Sequence, residues 1–148
     1  MPITFDKLGI SFQYPDNWEL DDSDARLGRR SVTVYSPGGA FWSISLHSGS
    51  IPPKKLTSAV LEAMKEEYNS LEVEDINEVV AGRELSGYDF AFYCFDLTNT
   101  ATVRSVKIAH TTYVIFCQAE DREYEQVREV FRAITASLLG NLIDLNGS

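Results

Sequence analysis

The sequence predicts an α/β fold of the α+β type: a three-layer α/β/α sandwich with a largely antiparallel sheet and two main amphipathic helices. Three observations lead there. Short segments of alternating apolar and polar residues recur between turn signals, the mark of strands. Two longer segments repeat their apolar residues at helical spacing. Two strands, 88–97 and 111–119, are apolar on both faces, so both sides of the sheet need a cover.

The first strand is Ile10, Phe12 and Tyr14, alternating with Ser11 and Gln13. Pro15 ends it, since proline cannot donate to a ladder. Tyr14-Pro15-Asp16-Asn17 suits a type I turn with proline second. Trp18 follows and is expected to fold over the edge of the core. The stretch 19–30 reads as a polar loop of mixed sign, with Glu19, Asp21, Asp22 and Asp24 before Arg26, Arg29 and Arg30. Val32 and Val34 mark a second strand. Ser36-Pro37-Gly38-Gly39 is a turn, and Trp42, Ile44 and Leu46 complete a hairpin with one apolar face.

Pro52 and Pro53 precede a helix over about 55–69, with Leu56, Ala59, Val60, Ala63, Met64 and Tyr68 on its stripe. Its glutamates run on into Glu72, Glu74, Asp75 and Glu78. Segments 88–97, 101–110 and 111–119 form an antiparallel meander joined by turns at 98–100 and 110–112. The last helix, about 121–139, carries Tyr124, Val127, Val130, Phe131, Ile134 and Leu138, with Asp121 as N-cap and Gly140 as stop. The 148 residues suit a single domain over 1–140, followed by a loosely attached C-terminal tail over 141–148.

Composition narrows the function. The apolar fraction is 44% and the charged fraction 24%, ordinary for a globular protein. A net charge of −9 argues against nucleic acid and against an anionic membrane surface. It suits a basic protein partner, and it also serves solubility. The start of the chain has neither a basic segment nor an apolar run, and no stretch is long enough to span a bilayer, so a cytoplasmic location is expected. Cys94 and Cys117 fall in strands, outside any CxxC pair or metal-ligand spacing, and read as buried free thiols.

The order of elements resembles the PsbP/Mog-like fold group, which includes the photosynthetic extrinsic protein PsbP, the Mog-type Ran-binding proteins and many small bacterial domains of unknown function. The residues that carry it are ISFQYPDNW, the helix LTSAVLEAMKEEY, the segment AGRELSGYDFAFYCFDL with the strand pair after it, and the helix DREYEQVREVFRAITASL. The match covers nearly the whole chain and is closest to the bacterial domains. It implies a binding or accessory role.

No catalytic constellation is visible. His47 lies on a serine-rich strand and His110 at a turn, neither with the orienting carboxylate and nucleophile that catalysis needs. The glycines at 38–39 lack the lysine and helix of a phosphate loop. The acidic stretches have no EF-hand glycine pattern, and no cofactor is implied. The expectation is a non-enzymatic protein-binding or accessory module with a protein partner of basic character, as a monomer or weak homodimer. Its candidate binding residues are Trp18, Asp21, Asp22, Asp24, Arg29 and Arg30, joined by the acidic end of the first helix. The alternative is a small-ligand-binding protein or an unrecognised enzyme with a cleft at Tyr14, Trp18 and Tyr35. A third expectation is self-association through strand 31–36 as a sheet edge.

Overall fold

A computed structural model describes residues 1–142. Two sheets are present among them. A hairpin pairs β1 (Ile3–Lys7) with β2 (Ile10–Tyr14). The main sheet has seven antiparallel strands in the order β3-β4-β5-β9-β8-β7-β6. These are β3 (Glu19–Asp21), β4 (Ser31–Tyr35), β5 (Phe41–Ser48), β6 (Glu72–Val80), β7 (Arg83–Cys94), β8 (Leu97–Ile108) and β9 (Thr111–Glu120). Three helices complete the fold: α1 (Ser23–Arg26), α2 (Pro53–Glu67) and α3 (Asp121–Asn141).

The alternation in each strand decides what covers it. Trp42, Ile44 and Leu46 of β5 share one face with Tyr113, Ile115 and Cys117 of β9. That face meets α3 through Phe131, Ile134 and Leu138, and meets the β1–β2 hairpin through Phe5 and Phe12. Phe12 stands 4.8 Å from Trp42, centroid to centroid, and the Trp42 indole donates to Thr135 Oγ1 of α3 at 2.9 Å. The opposite face offers Phe90, Phe92, Ala101, Val103 and Val114 to Met64 of α2. Helices therefore lie on both sides of an antiparallel sheet, as the doubly apolar strand β9 requires.

Several elements depart from the sequence expectation. The turn after β2 closes from Pro15 O to Trp18 N at 3.0 Å, which puts proline first, because Tyr14 stays paired with Ile3. The expected loop 19–30 contains β3 and α1. β3 pairs with Thr33–Tyr35, so strand 31–36 is not the edge proposed for self-association. The acidic stretch 72–78 is itself a strand, β6, at the far edge. Ala91 and Tyr93 are exposed, so one face of the segment 88–97 is open at its end. The meander turns at Phe95–Asp96 and Ala109–His110, ahead of the expected positions. Glu120, not Asp121, caps α3, accepting from Arg122 N, while Asp121 takes a 2.8 Å bond from Thr100. α3 runs through Gly140, because Leu138 and Leu139 are buried and Asn141 bonds Ser11 O at 3.1 Å. Of the tail expected over 141–148, residue 141 belongs to α3 and 143–148 lie outside the described residues.

At Gly87, β8 backbone fills the space a side chain on β7 would take. A Cβ there would stand 1.9 Å from the Val103 carbonyl oxygen, a backbone atom with nowhere to go. Gly87→Ala is expected to cost about 1–3 kcal/mol or more of unfolding free energy, as overpacking does. Urea denaturation with an unchanged slope checks it.

Candidate functional site

The sequence-predicted residues do not gather into one surface. Trp18 is buried, edge-on to Phe131 of α3 with ring centroids 5.9 Å apart. It closes the end of the core as a large apolar plug. Tyr14 is buried within the same core, whereas Tyr35 lies on the other sheet face, against Phe41. The three do not line a common cleft.

The acidic residues of 19–30 are held by their own neighbours. Asp21 accepts from Ser23 N at 3.0 Å and Ser23 Oγ at 2.6 Å, and these bonds hold its carboxyl below the usual range. Asp22 pairs with Arg26 at 2.8 Å, and Asp24 with Arg29 at 3.1 Å and Ser31 at 3.0 Å. Arg30 is exposed, and its carbonyl accepts from Leu46 N. The segment is thus a compact, locally compensated corner. Pairing of this kind at a surface contributes little energy but fixes the loop.

The end of the sandwich carries a different set. The 36–39 turn, the start of α3 and the β7–β8 hairpin all reach it. Between them lies an open groove of about 710 Å³, with Trp18, Pro37, Leu97 and Val127 as apolar lining and Arg122 and Glu123 as polar rim. Ser36 donates to Glu123 at 2.5 Å, tying turn to helix. A Cβ on Gly38 would fall 2.5 Å from the same carboxylate, so glycine is what lets Glu123 lie over the turn. Glu120 is held below the usual glutamate range, chiefly by the 2.6 Å bond from Arg122.

Beside the groove, Cys94 and Leu97 pair around a two-residue turn whose members, Phe95 and Asp96, have φ of 52° and 62°. A hairpin turn of this kind prefers Asn-Gly. Left-handed backbone at a bulky residue costs about 1–2 kcal/mol. Phe95 nonetheless occupies it, 95% exposed, with Tyr93 at 64% and Leu97 at 43%. No packing within the described fold accounts for an aromatic ring at this tip. An exposed apolar group on a strained turn is a mark of a binding surface. Sequence reasoning missed it by reading Phe95 and Leu97 as a buried strand face, since Phe-Asp carries no turn signal.

A charged cluster lies under α3. Arg104, 9% exposed, donates to Glu78 at 2.7 Å, to Asp89 at 2.6 Å and to two backbone carbonyls at 3.0 and 3.1 Å. Burial works to lower its pKa, and the bonds to Asp89 and Glu78 more than offset this, raising it. Arg132 joins at 3.2 Å from Glu78. A cavity of about 380 Å³ opens beside this cluster. Cys117 borders it with its thiol pushed up to about 12 by burial, so it is protonated and a poor nucleophile at neutral pH. Cys94 and Cys117 are free and lie on opposite sheet faces. His47 bonds only Ser45, at 2.8 Å, with its pKa lowered by burial; His110 is exposed. Among the described residues no group of three or more His, Cys, Asp or Glu converges on a metal position. No described helix is long and apolar enough to cross a membrane.

No known family and no curated protein matches the sequence. The fold does match solved structures. A Pseudomonas aeruginosa protein of unknown function and putative regulator, PA94, aligns at TM-score 0.58 and 10% identity, over 93% of this chain and 95% of its own. The cyanobacterial PsbP of Synechocystis sp. PCC 6803 aligns at 0.59 and 12%, over 92% and 90%. The Saccharomyces cerevisiae Ran-binding protein Mog1p aligns at 0.57 and 13%, over 95% and 92%. The chain has the PsbP/Mog-like fold that its sequence resembles.

Removing the Arg104 side chain leaves Asp89 without its ion pair and Glu78 with Arg132 alone. Arg104→Ala is expected to destabilise the protein by about 3 kcal/mol, as the loss of one partner from a buried charge cluster does. Chemical denaturation checks it; a loss below about 1 kcal/mol, the range of a surface pair, would mean that water already solvates the cluster.

Proposed function

We propose that the protein is a non-enzymatic protein-binding or accessory module that engages its partner through the end of the sandwich. The observation that carries this reading is Phe95, an exposed aromatic ring on a left-handed turn beside an open groove. Aromatic anchors of this kind dominate binding energy when a partner desolvates them. Leu97 and the edge of Trp18 would form the apolar centre of the contact, and Glu120, Arg122 and Glu123 its polar rim. Asp21, Asp22, Asp24, Arg29 and Arg30 then support the contact indirectly, by fixing the corner that follows Trp18. Two features favour binding over catalysis: the Ser45–His47 pair has no carboxylate bonded to the imidazole among the described residues, and the buried cysteine is not activated. The yeast neighbour's role in binding Ran is compatible with this reading and names no partner for this chain, since shared fold is weak warrant for function.

Phe95→Ser leaves the core untouched and removes the anchor. Proximity labelling in the source cells, read by mass spectrometry, is expected to show a partner that Phe95→Ser loses by at least about tenfold, the effect of truncating one hot-spot residue. The double change Asp21→Asn with Asp24→Asn is expected to keep it. Loss with the aspartate changes and retention with Phe95→Ser would move the contact to the acidic corner instead.

A further inference from the structure

β6 is the last strand of the sheet, nine residues long, and its outer edge has no partner strand among the described residues. Its register shows which groups are left over. A two-residue turn, Ala81–Gly82, joins β6 to β7, with Val80 opposite Arg83. The residues flanking such a turn exchange both backbone bonds, and bonding alternates from there. Val80, Glu78, Ile76, Glu74 and Glu72 therefore bond inward to β7. Val73, Asp75, Asn77 and Val79 turn their N–H and C=O groups outward. The Val79 carbonyl is met by Arg132 at 3.3 Å, which confirms the outward set and leaves 73–77 open.

The side chains along this edge have one sign. Glu72, Glu74 and Glu78 share a face, and Asp75 stands on the other with the exposed Val73. Glu78 is spoken for by Arg104 and Arg132, whereas Glu72, Glu74 and Asp75 have no ion pair among the described residues. A charged edge deters a second copy of this chain, whose own glutamates would lie opposite. The same charges favour a strand that carries lysine or arginine at alternate positions.

We propose that the outer edge of β6 receives an extended basic peptide segment, added to the sheet as an eighth strand along 73–77. Main-chain bonds to Val73, Asp75 and Asn77 hold the segment, and its alternate basic side chains meet Glu72 and Glu74. The edge 73–77 shares no residue with the Phe95 turn or the groove beside it, so it stands or falls independently of the function proposed above.

The test uses the intact protein and a capped nine-residue peptide of alternating lysine and valine, with amide hydrogen exchange read by NMR. In the protein alone, the amides of Val73, Asp75 and Asn77 are expected to exchange fast while Glu74 and Ile76 are protected. The peptide is expected to protect the first set, in a salt-sensitive way. A control of equal charge with a central proline is expected to protect none of them. Glu72→Lys with Glu74→Lys is expected to weaken binding about tenfold. Binding without protection of the odd-numbered amides, or equal protection by the proline control, reduces the effect to diffuse charge attraction and overturns the proposal. So does no binding. Protection that rises with protein concentration in the absence of peptide would assign the edge to a second copy and overturn it as well.

Discussion

Val114 and Ile115 are neighbours in β9, and both are buried, on opposite sides of the sheet. The rest of the architecture follows from that constraint. A strand with two apolar faces cannot sit on a single core, so α2 must cover one side and α3 with the β1–β2 hairpin the other. The two covers are unequal. α3 adds a polar lock, the Trp42–Thr135 bond, inside the larger core, and the Arg104 cluster sits under the same helix, where Arg132 joins it. The hairpin is fastened by Ser137 and Asn141 of α3, which bond the backbone of Gln13 and Ser11. Trp18 then seals the end at which the layers diverge.

The candidate surface is a consequence of the same layering. The turn that connects β7 and β8 stands in solvent, with Phe95 and Asp96 both exposed. In such a place a fold normally carries a polar, glycine-containing turn. Here it carries Phe95 and Asp96, both left-handed. Leu8, Ala81 and Ala109 are left-handed as well, but Leu8 and Ala81 are each followed by a glycine, whereas here both turn residues are left-handed and neither is glycine. Such disagreement between local sequence and local structure concentrates at functional positions. The acidic edge of β6 is different in kind, because its charges are consistent with an exposed edge and need no strain.

Most of the fold was legible because alternation and helical spacing are direct traces of burial. Val32, Val34, Trp42, Ile44 and Leu46 gave one core face, and the α3 stripe points inward as its spacing requires; on α2, Leu56, Val60, Met64 and Tyr68 do so, whereas Ala59 and Ala63 are exposed and Thr57 is buried. Even Trp18 was legible, from its place after a proline turn. What escaped was set by tertiary context. β6 is hidden because an edge strand with one weakly buried face needs few apolar residues, so its charges mask the pattern. The β7–β8 turn is hidden because Phe-Asp is not a turn signal. α3 passes Gly140 because packing of its leucines outweighs the glycine's small preference for ending a helix. The acidic corner was visible as charge but not as structure, since the pairing of Asp22 with Arg26 and Asp24 with Arg29 depends on the short helix between them.

The central claim is that Phe95 is held at a cost to the fold for the sake of a contact. Replacing the pair by the residues its turn prefers, Phe95→Asn with Asp96→Gly, separates stability from binding in one measurement. Unfolding free energy is expected to rise by about 1–2 kcal/mol as the left-handed strain is relieved, while partner labelling falls. A fall in stability would contradict the account, because it would make Phe95 part of the packing rather than an exposed anchor.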